Sequence, residues 1–158
     1  MTASTAVFDR SSPGLDEPAT NSQLSRVVAL SHATVNLLVP LRRIAELVAL
    51  PDNWDSYGSP RINAVAAQRA ILVLFAAEMG FPPQPRIVPV SGGGLQIEWA
   101  HGNRELEIEI LPGGAIEVLA VEGERTFEWE VPTELIPSVV PNLVSTLFRA
   151  RIYAAANR

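Results

Sequence analysis

Between Arg86 and Val131 the chain reads RIVPVSGGGLQIEWAHGNRELEIEILPGGAIEVLAVEGERTFEWEV. Apolar and acidic residues alternate in this stretch, and Gly-containing turns cut it into short pieces. Alternation with period two puts the apolar side chains on one face of a strand and the acids on the other. Short runs of that kind joined by turn residues pair as antiparallel neighbours. The turns are Ser91-Gly92-Gly93-Gly94, His101-Gly102-Asn103, Pro112-Gly113-Gly114 and Glu122-Gly123-Glu124. They divide the stretch into strands at Arg86–Val90, Leu95–Ala100, Arg104–Leu111, Ala115–Val121 and Arg125–Val131. Pro89 restricts the first to a sheet edge or a pre-strand. Leu95, Ile97 and Trp99, then Leu106, Ile108 and Ile110, then Ile116, Val118 and Ala120, then Phe127, Trp129 and Val131 share one face.

An open sheet cannot shield so large an apolar face alone, so helices must cover it. Three helical regions are expected. In 21–50, Leu24, Val27, Val28, Ser31, Val35 and Leu38 recur near helical spacing, with Asn21 or Ser22 as N-cap. The β-branched content of 24–39 leaves a strand open for part of it. Pro40 is expected to break this helix, with a second one burying Leu41, Ile44, Leu47 and Val48. Residues 64–79 form another, with Val65, Ile71, Leu72, Phe75 and Met79 inward and Arg69 and Glu78 outward. Its cap is Ser59, followed by Pro60, or Asn63. The third helix lies in Thr133–Asn157. Pro137 and Pro141 chop its start, Leu143, Leu147, Phe148 and Ile152 face inward, and Arg149 and Arg151 face water. The fold class is therefore α+β: an antiparallel meander of four to five strands, about 86–131, covered on one face by N-terminal helices and a C-terminal helix. Residues 1–20, rich in Ser, Thr and Pro, read as a flexible tail, and 21–158 as a single domain.

Composition narrows the function classes. The chain has 158 residues, 47% hydrophobic and 18% charged, and no cysteine. Thiolate nucleophiles, disulfides and Cys-based zinc sites are absent. Its 12 bases are all arginine, so there is no lysine for a Schiff base or a phosphate loop. A net charge of −5 argues against direct nucleic-acid binding. Neither a signal peptide nor a membrane span is readable, and a cytoplasmic location is expected.

Four groups of residues could carry chemistry. Nine glutamates fall in 86–131 against Arg86, Arg104 and Arg125, a local balance of −6. Glu98, Glu107, Glu109, Glu117, Glu128 and Glu130 are the candidate contacts for a basic protein partner; the alternative is a solvated face kept soluble by charge. The loop Asp52-Asn53-Trp54-Asp55-Ser56-Tyr57-Gly58 sets two carboxylates among aromatics, which would suit a ligand-binding or hydrolase-like site. It fails the spacing of a calcium loop. Its other reading is a brace: Asp52 or Asn53 making a turn, Trp54 and Tyr57 plugging the core edge, Asp55 pairing with Arg61 or a backbone amide. His32 and His101 make a poor metal set. Gly92-Gly93-Gly94 lacks the lysine and the following helix of a phosphate loop and reads as a hairpin turn.

From Leu41 onward, Asn53, Trp54, Asp55, Tyr57, Gly58 and Pro60, followed by Gly93, Gly94, Leu95, Gln96, Glu98 and Trp99, form a pattern. It resembles a set of small uncharacterised bacterial proteins with an NWDxYGxP loop and a GG[LV]Q[LI]EW hairpin. The resemblance implies a small accessory or partner-gene product and brings no activity or cofactor with it. The expected function is a non-enzymatic interaction module, an acidic antitoxin-, immunity- or chaperone-like partner of a basic protein. The alternatives are a ligand-binding protein or enzyme using the Asp52–Tyr57 loop, and a self-assembling structural homo-oligomer such as a homodimer.

Overall fold

The computed structural model describes residues 36–78 and 82–148. The expectations for the tail, for 21–35 including His32, and for Met79, Arg149, Arg151 and Ile152 lie outside these residues. The fold is α+β. A helix over 36–48 (α1) is followed by α2 (Ala64–Glu78), then β1 (Arg86–Val90), β2 (Gly94–His101), β3 (Arg104–Ile110), β4 (Ile116–Glu122), β5 (Arg125–Glu130), a short 3-10 turn and α3 (Ile136–Phe148). The strands form one antiparallel sheet in the order β1-β2-β3-β4-β5. Strand ends fall within a residue of those read from the alternation, because the turn residues fix them.

The inner face packs as the period-two reading requires. Leu95, Ile97, Trp99, Leu106, Ile108, Ile110, Ile116 and Val118 are all buried. α2 and α3 lie side by side across it, α2 against β2 and β3 and α3 against β3. Ile44 and Leu47 of α1 join the same core. The Trp99 indole N–H is buried without an acceptor among the described residues.

The helices depart from expectation in three ways. Pro40 does not break α1, which runs through it. Proline cannot donate to the carbonyl four residues back, here that of Asn36. That oxygen instead accepts from Gln84 Nε2 at 3.1 Å, so the freed acceptor is satisfied from the connector before β1. Val48, expected inside, is exposed. Likewise α3 is continuous from Ile136 through Pro141 to Phe148. Pro137 sits in its first turn, where no donor is needed, and Pro141 deletes a single bond.

The third departure is in α2. Val65, Leu72 and Phe75 were expected to be buried but are exposed, Phe75 at 53%. The buried side is Ala66, Ala67, Ala70, Val73, Leu74, Ala76 and Ala77. Mostly small side chains face inward because α2 packs against both α3 and the sheet, and five alanines beside Val73 and Leu74 suit a close approach of the elements. Asn63, not Ser59, caps this helix: its Oδ1 accepts from Val65 N–H at 2.8 Å.

Candidate functional site

The outer face of the sheet carries Glu98, Glu105, Glu107, Glu109, Glu117, Glu128 and Glu130, with Arg86 as its one strand cation. This follows from the strand register and the burial alternation. The register sorts most of them into two rows across the strands. One row is Gln96, Glu109, Glu117 and Glu130; the next is Arg86, Glu98, Glu107, Leu119 and Glu128. Three pairs of glutamates are therefore directly opposed: Glu98 with Glu107, Glu109 with Glu117, and Glu117 with Glu130. Like charges in that relation are destabilising.

Only one end of the arrangement is neutralised. Arg86 Nη1 lies 3.1 Å from Glu98 Oε2, and Gln96 Nε2 donates to Glu107 at 3.0 Å and to Glu98 at 3.3 Å. Among the described residues Glu109, Glu117, Glu128 and Glu130 have no ion pair. Burial first, then repulsion from Glu98, Glu105 and Glu109, raises the Glu107 carboxyl above its usual range. The rows line a shallow groove of about 430 Å³ that includes Gln96, Glu107, Glu109, Glu117, Glu128 and Glu130. So the six glutamates singled out from the sequence share one face. Glu122 differs from the count over the whole stretch: it sits at the end of the helix-side face, 3.3 Å from Arg104 Nη2.

The loop after α1 folds on itself. Asp52 receives Arg61 N–H at 2.9 Å and Arg61 Nη2 at 2.9 Å, which hold its carboxyl down at about 2. Asp55 Oδ1 accepts from Tyr57 N–H at 2.9 Å and Ser59 N–H at 3.1 Å, and Oδ2 accepts from the Ser59 hydroxyl. The hydroxyl, then the Tyr57 amide, lowers its carboxyl as well. Asn53 takes φ of 62° and Ser56 of 64°, a left-handed backbone that Asn tolerates better than most residues. Asn53 Oδ1 caps Gly58 N–H at 2.7 Å. Trp54 is half-buried and donates to Pro60 O at 3.1 Å. Tyr57 does not plug the core edge: it is 93% exposed. The Asp55 partners are the Ser59 hydroxyl and two amides, and the Arg61 side chain goes to Asp52 instead.

This loop and the glycine turn touch. Asn63 N–H donates to Gly93 O at 2.9 Å, and a side chain at Gly93 would begin 2.8 Å from Arg61 O. The two motifs on which the resemblance rests thus brace each other, joining the start of α2 to the β1–β2 hairpin. His101 is exposed at the end of β2. Among the described residues no group of three or more His, Asp or Glu is placed to hold a metal ion, and no helix is long and apolar enough to cross a membrane.

A second concavity was not read from the sequence. A groove of about 640 Å³ runs between β5 and α3, its surface mostly apolar from Phe127, Trp129, Val139 and Leu143, with Glu122, Glu128, Ser138, Asn142 and Thr146 also lining it. α3 lies against β3, so the inner side of β5 is left half-covered, with Phe127 41% exposed. Arg125 rests its guanidinium 4.9 Å from the Phe127 ring. Nothing in the sequence marks it: five strands spaced about 4.8 Å apart make a sheet about 20 Å across, which two helices about 10 Å wide could cover, so the groove follows from where α3 lies.

Comparison of the chain with protein-family models, with curated proteins and with solved structures gave no match.

Proposed function

We propose that the chain is a non-enzymatic interaction module whose outer sheet face docks a basic protein, in the manner of an antitoxin, immunity protein or chaperone-like subunit. The observation that carries this reading is the unneutralised row Glu109, Glu117 and Glu130, opposed strand to strand. Such a row costs stability in the isolated chain, since each opposed pair is repulsive. A cationic surface laid over it would convert those repulsions into attractions and speed encounter. Soluble sheets need charge on an open face, but interspersed signs supply it without opposed like pairs. The loop supports an enzyme less well. Both of its carboxylates are committed to its own amides, to Ser59 and to Arg61, so neither is free to shuttle a proton.

The test is co-expression with the products of neighbouring genes, followed by quantitative binding of any basic product that co-purifies. Reversal of charge at Glu107, Glu109 and Glu128 together should weaken that complex by about 100-fold or more at low salt, and raising salt should weaken the unmodified complex. A complex indifferent to both would overturn the proposal.

A further inference from the structure

The two edges of the sheet are not alike. On β1 the residues facing the free side are Ile87 and Pro89, since Arg86, Val88 and Val90 share the bonded alternation with β2. Pro89 has no N–H to offer, and the Ile87 carbonyl accepts from Arg43 Nε of α1 at 3.3 Å. That edge is blunted by two standard devices. On β5, Val131 N–H donates to Ile116 O at 2.9 Å, which fixes the alternation with β4. Arg125, Phe127 and Trp129 exchange bonds with β4, while Thr126, Glu128 and Glu130 turn their N–H and C=O to the free side. No hydrogen bond from the other described residues reaches those groups. Every residue of β5 except Trp129 is exposed.

Each side of this open edge carries a different chemistry. Toward the helices lies the apolar groove between Phe127, Trp129, Val139 and Leu143. Toward the outer face both glutamate rows end on β5, at Glu128 and Glu130. A strand laid beside β5 would send alternate side chains into these two environments. We infer that the partner is held through an extended segment that adds to β5 as a sixth strand, its side chains alternating apolar and basic. The apolar ones enter the groove. The basic ones lie opposite Glu128 and Glu130, within cross-strand reach, and extend each row with a cation. Main-chain bonds to Thr126, Glu128 and Glu130 supply the rest of the grip.

A second copy of this chain is the poorer occupant. Pairing β5 with β5 would join two acidic faces into one sheet and set glutamates against glutamates or Thr126. Pairing β5 with β1 of another copy would meet Pro89 and Arg43. The inference rests on the reading of the outer face as a docking surface for a cationic partner, and adds how that partner is held.

The test uses a capped seven-residue peptide alternating valine and arginine, with valine at both ends, and a block isomer of the same composition. Their affinities for the full chain are compared by isothermal titration at low salt. The alternating peptide should bind at least about tenfold more tightly. Thr126→Pro removes only an outward N–H from β5 and should abolish that difference, as should Leu143→Glu, which charges the groove without touching the strand. N-methylation of the peptide at alternate residues tests the main-chain bonds with no change to the protein. Equal binding of both peptides, lost on reversing Glu107 and Glu109 but indifferent to Thr126→Pro, Leu143→Glu and N-methylation, would overturn strand addition and leave the docking face standing. No binding of either peptide would count against both. A dimer of the unmodified chain that Thr126→Pro dissolves would assign the edge to a second copy and overturn the inference.

Discussion

Replacing Glu117 with arginine should stabilise the isolated chain and weaken its hold on a basic partner. Glu117 lies directly opposite Glu109 on β3 and Glu130 on β5. The bond from Val131 N–H to Ile116 O makes the adjacent 117–130 pair a non-hydrogen-bonded one, the kind whose side chains come closest. Neither neighbour is ion-paired among the described residues, so the substitution turns two repulsive pairs into two attractive ones. A directly opposed charge pair on an exposed sheet is worth about 0.2–1 kcal/mol, discounted for solvent. Reversing the sign of two such pairs gives about 1–2 kcal/mol. For a chain of this size that is a rise in Tm of about 3–6 °C. The assay is thermal unfolding followed by circular dichroism at 20 mM and 1 M sodium chloride. The gain should shrink at high salt, where the screening length falls to about 3 Å. An unchanged or lower Tm at low salt would refute the reasoning, as would a gain that 1 M salt leaves intact.

The acid limb of stability should be set by the loop. Asp52 and Asp55 are held below their ordinary value of 3.8, so what they contribute is present above that value and lost as pH falls through their lowered values, for Asp52 about 2. Glu107 acts oppositely: its folded carboxyl is raised above the ordinary 4.5, so stability grows as pH falls through that raised value and levels off below 4.5. A Tm–pH profile should therefore peak in the mildly acidic range, Asp52→Asn should flatten its acid limb, and Glu107→Gln its upper limb. Gly93→Ala should cost about 2–4 kcal/mol in chemical denaturation, since φ is +94° and the new carbon meets Arg61 O. Gly92→Ala, with φ of +90° and open space around it, should cost only about 1 kcal/mol, and the difference measures the loop–hairpin brace. Ala70→Leu should destabilise by about 1–3 kcal/mol or more through overpacking, while Phe75→Ser, on the exposed side of α2, should stay within about 0.5 kcal/mol.

The sheet was legible because its period is two and its turns are marked by glycine. A strand's inward set follows from counting once one residue is placed, and Leu106, Ile108 and Ile110 show it. α2 was harder for a physical reason. Its apolar residues surround the helix, so no stripe stands out, and by size alone Val65, Leu72 and Phe75 read as the core. What decides the buried side is the closeness of α3 and the sheet, which selects Ala66, Ala70 and Ala77 and is a property of tertiary packing. The prolines misled in a similar way. Pro40 does remove a bond to the Asn36 carbonyl, but Gln84, 48 residues beyond Asn36, replaces it, and no local rule anticipates a partner at that distance. Among the site residues, the six glutamates were readable as one face. That they stand in rows, opposed pair by pair, depends on strand register, which the turns set. The groove between β5 and α3 follows from where α3 lies, and the chain carries no local mark of that.

The meander order has a consequence for how the chain folds. Each strand pairs only with its neighbour in sequence, so no sheet contact requires closing more than a hairpin, and the loop-closure cost of the sheet is small. The contacts longer in sequence than a hairpin come from the helices and the loop before α2: Asn36 with Gln84, Arg43 with Ile87, Arg104 with the Leu147 carbonyl, and Asn63 with Gly93. A sheet assembled by zipping successive hairpins would await its cover, and the rate of folding would be set by the docking of α1, α2 and α3 upon it.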